Sequence, residues 1–320
     1  MPVNSRQKTR NLEYLCLNNL EDLVFIVDSS GRYVAIWGRL MQEFSMTPAL
    51  CVGRTLEEVL GDNAPAAHVE YQRRAIAGET ALYEVAERGT GGEEKWFQTR
   101  LTPISSTGDR VDYVLGVTRE TTLLHARERQ LERTMNDIVR AMGRVVEAKD
   151  PFTADHQEGV ARLSVLIATE MGFSDDEISE VRTAALLHDI GKLHIPTEIL
   201  SKPTALGPNE YAIVQTHAQQ GYDILADIDF GWPIAEIALQ HHERADGSGY
   251  PRGLVGEQIL PAARVLAVAD VLEAVASPRP YRAALGMGAG VEAIASHPEA
   301  FDNSVSEACM RLWKSGKLTL

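Results

Sequence analysis

The spacing of hydrophobic positions changes once along this chain, from a short β-like period to a long helical one. Residues 22–37, DLVFIVDSSGRYVAIW, hold two β-rich runs around the turn cluster Asp28-Ser29-Ser30-Gly31, which predicts a hairpin. A helical stretch is predicted around residues 39–60, punctuated by Pro48 and Gly53. ALYEVAERG, KWFQTRLTPI and RVDYVLGVTRE then read as three strands with turn signals between them. In the last, Val111, Tyr113, Leu115 and Val117 alternate as a half-buried strand should. Two strands, short helices and three strands make an α+β module. From residue 138 onward the pattern is helical, and nothing between 150 and 320 alternates convincingly. Ser174 and Glu177 form a capping box that opens DEISEVRTAALLHD.

Between these halves, residues 123–149 contain no Pro and one Gly. Leu124, Leu131, Ile138 and Val145 recur every seven residues, with Thr134, Ala141 and Ala148 as small second positions. One reading is a parallel dimer helix, a coiled coil that joins the two halves as a rigid lever. The other is an amphipathic helix packed on its own chain.

Composition narrows the function classes. The 320 residues carry a formal net charge of −14, which argues against a long nucleic acid or an anionic membrane surface as partner. Residues 1–150 hold 19 basic and 22 acidic side chains, and residues 151–320 hold 12 and 23. Cys16, Cys51 and Cys309 are far apart and form no CxxC, so neither a disulfide framework nor a thiolate zinc site is expected. There is no apolar stretch of bilayer-spanning length and no apolar signal core at the N-terminus. A cytoplasmic protein with no DNA partner and no membrane span is therefore expected.

The histidines are the unusual feature. Six of the nine lie between His156 and His242, in the more acidic half. His156, the pair His188-Asp189, His217, the pair His241-His242, and Asp270 are candidate metal ligands. Asp270 sits in the apolar run VLAVADVLEA, where an unpaired carboxylate would cost several kcal/mol. Such a set is hard to explain as separate core residues, and polar groups of this kind cluster at functional sites. His156, His188, Asp189 and Asp270 suffice for one ion. His217, His241 and His242 then suit a second, with Asp189 bridging. Imidazole and carboxylate ligands without thiolate suit Fe or Mn, and also Zn, Ni or Co.

Two family resemblances follow from these motifs. LVFIVDSSGRYVAIW, VGRTLEEVL, Gly78-Glu79 and GVTRETT resemble a PAS domain over residues 14–122. That implies a sensing or dimerisation module of α+β fold; His68 reads as a surface or helix-packing histidine, with a haem ligand as the alternative that some such modules use. HDIGK at 188–192 and HHERADGSGYPRGLVGEQI at 241–259 resemble the HD-GYP family of the HD phosphohydrolase superfamily. DPFTADH, THAQQGYDIL, RVLAVADVLEA and PRPYRAALG extend that resemblance over residues 140–316. The family's fold is an all-helical bundle. Its activity is hydrolysis of cyclic di-GMP to pGpG and on to GMP, and some members prefer cyclic GMP-AMP.

The resemblance implies two divalent metal ions held by His156, His188, Asp189, His217, His241, His242 and Asp270, with a bridging hydroxide as nucleophile. Lys192 would contact the scissile phosphate, Arg279 and Arg282 would hold phosphate or guanine groups, and Tyr250 would line the substrate pocket. The glycines of DGSGYP allow a close backbone approach, and Pro251 restrains Tyr250. Three-metal members carry a Glu one turn before the first histidine, where this chain has Phe152, so a two-metal site is expected. His194 reads as incidental. With only CMRLWKSGKLTL after the bundle, no further output domain is expected. A homodimer through the sensor and connecting helix is expected, with a GGDEF-type protein as a further partner. The alternatives are a catalytically weak cyclic dinucleotide receptor and a hydrolase of cyclic GMP-AMP. The excess acid of the C-terminal half does not oppose a small dianionic substrate, because the ions' own charge enters the local count.

Overall fold

A computed structural model describes residues 5–61, 64–88, 92–108, 110–149, 156–278 and 283–319. The chain divides into two compact units, Met1–Glu132 and Arg133–Leu320.

In the N-terminal unit, helix α1 (Ser5–Asn18) precedes strands β1 (Leu23–Asp28) and β2 (Tyr33–Trp37). The turn between them is tied by Asp28, whose carboxylate accepts from the amides of Ser30 and Arg32. Short helices α2 (Pro48–Cys51) and α3 (Leu56–Leu60) and the longer α4 (Ala66–Ile76) follow. Thr47 caps α2, and Thr55 with Glu58 forms a capping box on α3, so each piece starts afresh after its turn. Strands β3 (Ala81–Arg88), β4 (Glu94–Ile104) and β5 (Tyr113–Glu120) complete an antiparallel sheet of order β2-β1-β5-β4-β3. The strand, helix, strand order expected from the sequence is present.

The phase of β5 differs from the expected alternation. Val114 and Thr118 are buried, whereas Tyr113 is exposed and Leu115 and Val117 are only half-buried. The reason is Gly116. A Cβ there would meet the ring of Phe25 at 2.1 Å, so the glycine opens the core face to an aromatic ring from β1. The apolar periodicity of β5 therefore marks the less buried face.

Helix α5 (Thr122–Lys149) is a single 28-residue element. Its Val139, Gly143 and Val146 are buried in the C-terminal unit's core. Its heptad row is not: Leu124, Leu131, Ile138 and Val145 are each more than half exposed. The two readings of this segment thus fall on different faces of one helix.

The C-terminal unit continues with α6 (His156–Glu170), α7 (Asp175–Leu187), α8 (Thr197–Leu200), α9 (Pro208–Gln215), α10 (His217–Leu225), α11 (Ile234–Gln240), α12 (Pro261–Ala276), α13 (Met287–Ala295) and α14 (Asn303–Lys314). The capping box of Ser174 and Glu177 starts α7, as the sequence predicts. Helix α12 packs against α6, α7 and α13, and most of its side chains are buried. An acid on this helix must therefore find a partner inside the core. Among the described residues no helix is long and apolar enough to cross a membrane.

Candidate metal centre

Helix ends assemble the site. His156 opens α6, His188 caps the C-terminus of α7 with Asp189 next to it, and His217 opens α10. His241 caps α11 and His242 follows; Asp270 comes from the middle of α12. These residues fall into three overlapping clusters with ligand atoms within 4.8 Å of one another. They are His156, His188, Asp270; His188, Asp189, His241; and His217, His241, His242. All seven ligands expected from the sequence are thus brought together. Asp189 lies between the outer two clusters: its Oδ2 is 3.4 Å from His188 Nε2 and 3.8 Å from His156 Nε2, and its Oδ1 is 3.5 Å from His217 Nε2.

The backbone permits this convergence at one glycine. Residues Ile190–His194 form a 3-10 turn after Asp189. A Cβ on Gly191 in that turn would lie 1.9 Å from the carbonyl oxygen of His217. Only a residue without a side chain lets the two main chains come this close.

Hydrogen bonds fix the imidazole tautomers. Nδ1–H of His188 donates to the Ala185 carbonyl at 2.7 Å, that of His217 to Val214 at 2.6 Å, and that of His241 to Ala238 at 2.5 Å. His156 Nδ1–H donates instead to the carboxylate of Glu273. The Nε2 atoms of His188, His217 and His241 then present lone pairs to the centre. His217 Nε2 and His241 Nε2 face each other at 3.3 Å, and His188 Nε2 is buried without a hydrogen bond. Acceptors facing acceptors in a buried space repel unless a cation lies between them, so the donor set fits divalent metal ions.

Electrostatics agree with that fit. Burial pushes His241 down, with His188 and His217 adding to it, and burial with His241 and His217 does the same to His242. Burial also lowers His217. Burial alone would raise Asp189, but Lys192 and then His188, His217 and His156 hold it well below the carboxylate range. Asp270 is likewise raised by burial and brought well below it by His156, His188 and His242. Neutral imidazoles beside ionised carboxylates are the protonation states a cation needs. His156 departs from the other histidines: burial lowers it, yet Asp270 and Glu273 together lift its pKa to about 9.

The rim carries the remaining expected residues. Lys192, on the 3-10 turn, places its ammonium 2.6 Å from Asp189 Oδ2. The Tyr250 ring lies 4.7 Å from that of His242. Gly249 is packed between Glu243 and Arg244, where a Cβ would meet main-chain atoms at 2.4 to 2.5 Å. His194 is exposed. Arg279, Arg282 and Phe152 lie outside the described residues.

Sequence reasoning did not find two acids. Glu273 is buried against His156. Glu243 is also buried, and its carboxylate accepts from the amides of Arg252 at 2.7 Å and Leu254 at 3.0 Å, which ties the Gly-Tyr-Pro loop to the histidine pair. The available signal was an acid one turn after Asp270, and another directly after His242, each in an apolar or motif context.

In the N-terminal unit, His68, the one histidine that could suggest haem, is enclosed. His68 Nδ1 shares a hydrogen bond with the Tyr83 hydroxyl, its Nε2 is buried and unpartnered, and burial lowers its pKa to about 4. The adjoining cavity is about 40 Å³, lined by Phe25, Phe44, Phe97 and others. That holds a few water-sized molecules. A porphyrin does not fit it as it stands.

A family model described as an HD domain matches residues 140–305, and one described as a PAS fold matches residues 17–126. The chain is 40% identical over 177 residues to a 3'3'-cGAMP-specific phosphodiesterase 3 of Vibrio cholerae, covering 55% of this chain and 38% of that protein. It is 38% identical over 185 residues to the cyclic di-GMP phosphodiesterase response regulator RpfG of Xanthomonas campestris pv. campestris, covering 57% and 49%. It is 43% identical over 157 residues to a cyclic di-GMP phosphodiesterase of Thermotoga maritima, covering 48% and 42%. The chain spans less than half the length of each of these curated relatives.

Proposed function

Because this chain belongs to the HD-domain superfamily, in its HD-GYP form with an N-terminal PAS domain, we propose that it is a metal-dependent phosphodiesterase that hydrolyses cyclic di-GMP to pGpG. The observation that carries this reading is the convergence of five imidazoles and two carboxylates, with the Nε2 atoms of His217 and His241 facing each other across a buried centre. Two bound divalent ions supply a lowered pKa for water and offset charge on the phosphoryl oxygens.

The chain's own residues do the rest. Asp189 would be the carboxylate shared by two ions, a role supported by its approach to His188 and His217. Lys192, whose ammonium lies 2.6 Å from Asp189 Oδ2, would stabilise charge on a phosphoryl oxygen. Tyr250 offers an aromatic face beside His242, on which a guanine can stack. Arg279 and Arg282 are the proposed phosphate or guanine contacts, since the guanidinium fork matches phosphate geometry.

A second substrate reading, cyclic GMP-AMP, is favoured by the 40% identity to a relative named for that specificity. Purified protein loaded with Fe or Mn, in its reduced and its oxidised form, is given both cyclic dinucleotides and is expected to release linear dinucleotide from cyclic di-GMP faster. Faster release from cyclic GMP-AMP would reverse the substrate assignment. Tight nucleotide binding without turnover or metal would make the protein a receptor instead.

The exposed heptad row of α5 is proposed as the contact with a second copy, because four apolar side chains at seven-residue spacing match a parallel two-helix seam. The double substitution Leu131→Asp with Ile138→Asp is expected to turn a dimer into a monomer in light scattering. An unchanged mass would show that this row is not the contact.

A further inference from the structure

The two halves of the metal centre are not chemically equivalent, and the difference lies behind the ligands. His188, His217 and His241 each donate Nδ1–H to the carbonyl three residues earlier in their own chain, a neutral main-chain acceptor. His156 is the first residue of α6 and takes its acceptor from another helix. That acceptor is the carboxylate of Glu273.

Glu273 is built into this position. It stands three residues after Asp270 on α12, so both acids project from one face of a helix that is otherwise apolar around them. A Cβ on Gly159 would lie 3.0 Å from Glu273 Cγ, so the glycine one turn into α6 gives the acid its space. Ser277 Oγ donates to its other oxygen at 2.5 Å. The carboxylate is almost wholly buried, and burial of a charge is costly unless its partners are in place.

We infer that Glu273 is a positioning residue that acts through His156 and makes the cluster His156, His188, Asp270 the tighter of two cation positions, selective for the more highly charged ion. The inference rests on the proposed two-metal reading. Asp270 is a carboxylate ligand within that cluster, and Glu273 adds a second negative group behind it. The opposite cluster, His217, His241, His242, has three imidazoles and shares only Asp189. A carboxylate behind a ligating imidazole makes it a stronger donor and fixes its orientation. The preference for higher ionic charge follows from Coulomb attraction to two extra carboxylates.

The test uses the full chain and reads metal rather than activity. Iron- or manganese-loaded protein is titrated with a chelator, and retained ions per chain are counted. Two phases are expected, one ion leaving before the other. Glu273→Gln keeps the side-chain length and an acceptor for Nδ1–H but removes the charge; it is expected to weaken the tight phase by ~10- to 100-fold and leave the weak phase unchanged. In iron-loaded protein one iron, and only one, should become easier to reduce. Ser277→Ala, which leaves the carboxylate in place, should shift the tight phase in the same direction by less, and this holds the test open if Glu273→Gln does not fold. A single phase in the parent, or equal shifts of both phases in either variant, would overturn the inference. Failure of the phosphodiesterase reading would show separately, as absent turnover with both phases intact.

Discussion

Asp189→Ala is expected to release both metal ions and to lower turnover by at least ~10³-fold, a small part of the effect by which bound cations lower the pKa of water to about 7. The reason is position. Asp189 lies within 3.4 to 3.8 Å of imidazole nitrogens from both outer clusters, and it is almost fully buried. Without it, His188, His217 and His156 still converge on the centre, with less negative charge to hold a cation. Lys192 also loses the carboxylate 2.6 Å from its ammonium, in a place where its side chain is only 15% exposed. Lys192→Ala separates the two roles. It removes no ligand, so the ions should stay while turnover falls ~10²- to 10³-fold, the cost typical of losing one group that stabilises charge in the transition state. Metal analysis and single-turnover rates on the same preparations decide between them. Asp189→Ala that keeps two ions would end its bridging role. Lys192→Ala that loses ions would make the lysine a structural counter-ion of Asp189.

How much of this was legible in the sequence varies by residue, and the causes are physical. The candidate ligand histidines were legible because five imidazoles and two acids together in helical, apolar surroundings are hard to explain as separate core residues, and their motifs fix their order. The sheet and its turns were legible because Asp28, Gly31 and the capping residues act locally. The phase of β5 was not, because it is set by Phe25, ninety-one residues away from Gly116 in sequence, which claims the space on the core face. Glu273 was hidden for a similar reason. Its partner His156 belongs to a different helix, 117 residues earlier, and an acid in DVLEA reads equally well as a solvated position. Helix α5 shows the limit of periodicity in another way. A seven-residue apolar repeat reveals one stripe, yet the stripe that packs on the C-terminal core, Val139, Gly143, Val146, contains a glycine and escapes a search for hydrophobic spacing.

Gly191→Ala is the substitution expected to do most damage for its size. The added methyl would sit 1.9 Å from His217 O, 2.5 Å from the amide nitrogen of Gly221 and 2.8 Å from His217 C. All three are main-chain atoms, so no side-chain rotation relieves the overlap. Gly191 is not among the glycines with positive φ, so proximity and not backbone conformation requires it. Relief means moving the 3-10 turn away from α10 by about 1.5 Å or more, the difference between 1.9 Å and ordinary contact at 3.4 Å. The turn carries Lys192 and follows Asp189, and α10 begins at His217, so the same movement pulls the two ion positions apart. Overpacking of this kind costs about 1–3 kcal/mol, and for a unit of this size each kcal/mol lowers Tm by about 2–4 °C. A shift of 1 Å in reacting groups costs about 10²-fold in rate. Gly191→Ala should therefore melt several degrees lower, bind at least one ion more weakly and turn over about 10²-fold more slowly. Gly221→Ala is the control, because its Cβ meets nothing closer than 3.5 Å although it faces Gly191 across the same contact. Equal damage from the two substitutions would mean that helix breaking by either glycine, and not the 1.9 Å approach, governs the joint. An undamaged Gly191→Ala would mean that the turn and α10 can separate without moving Asp189 from His217.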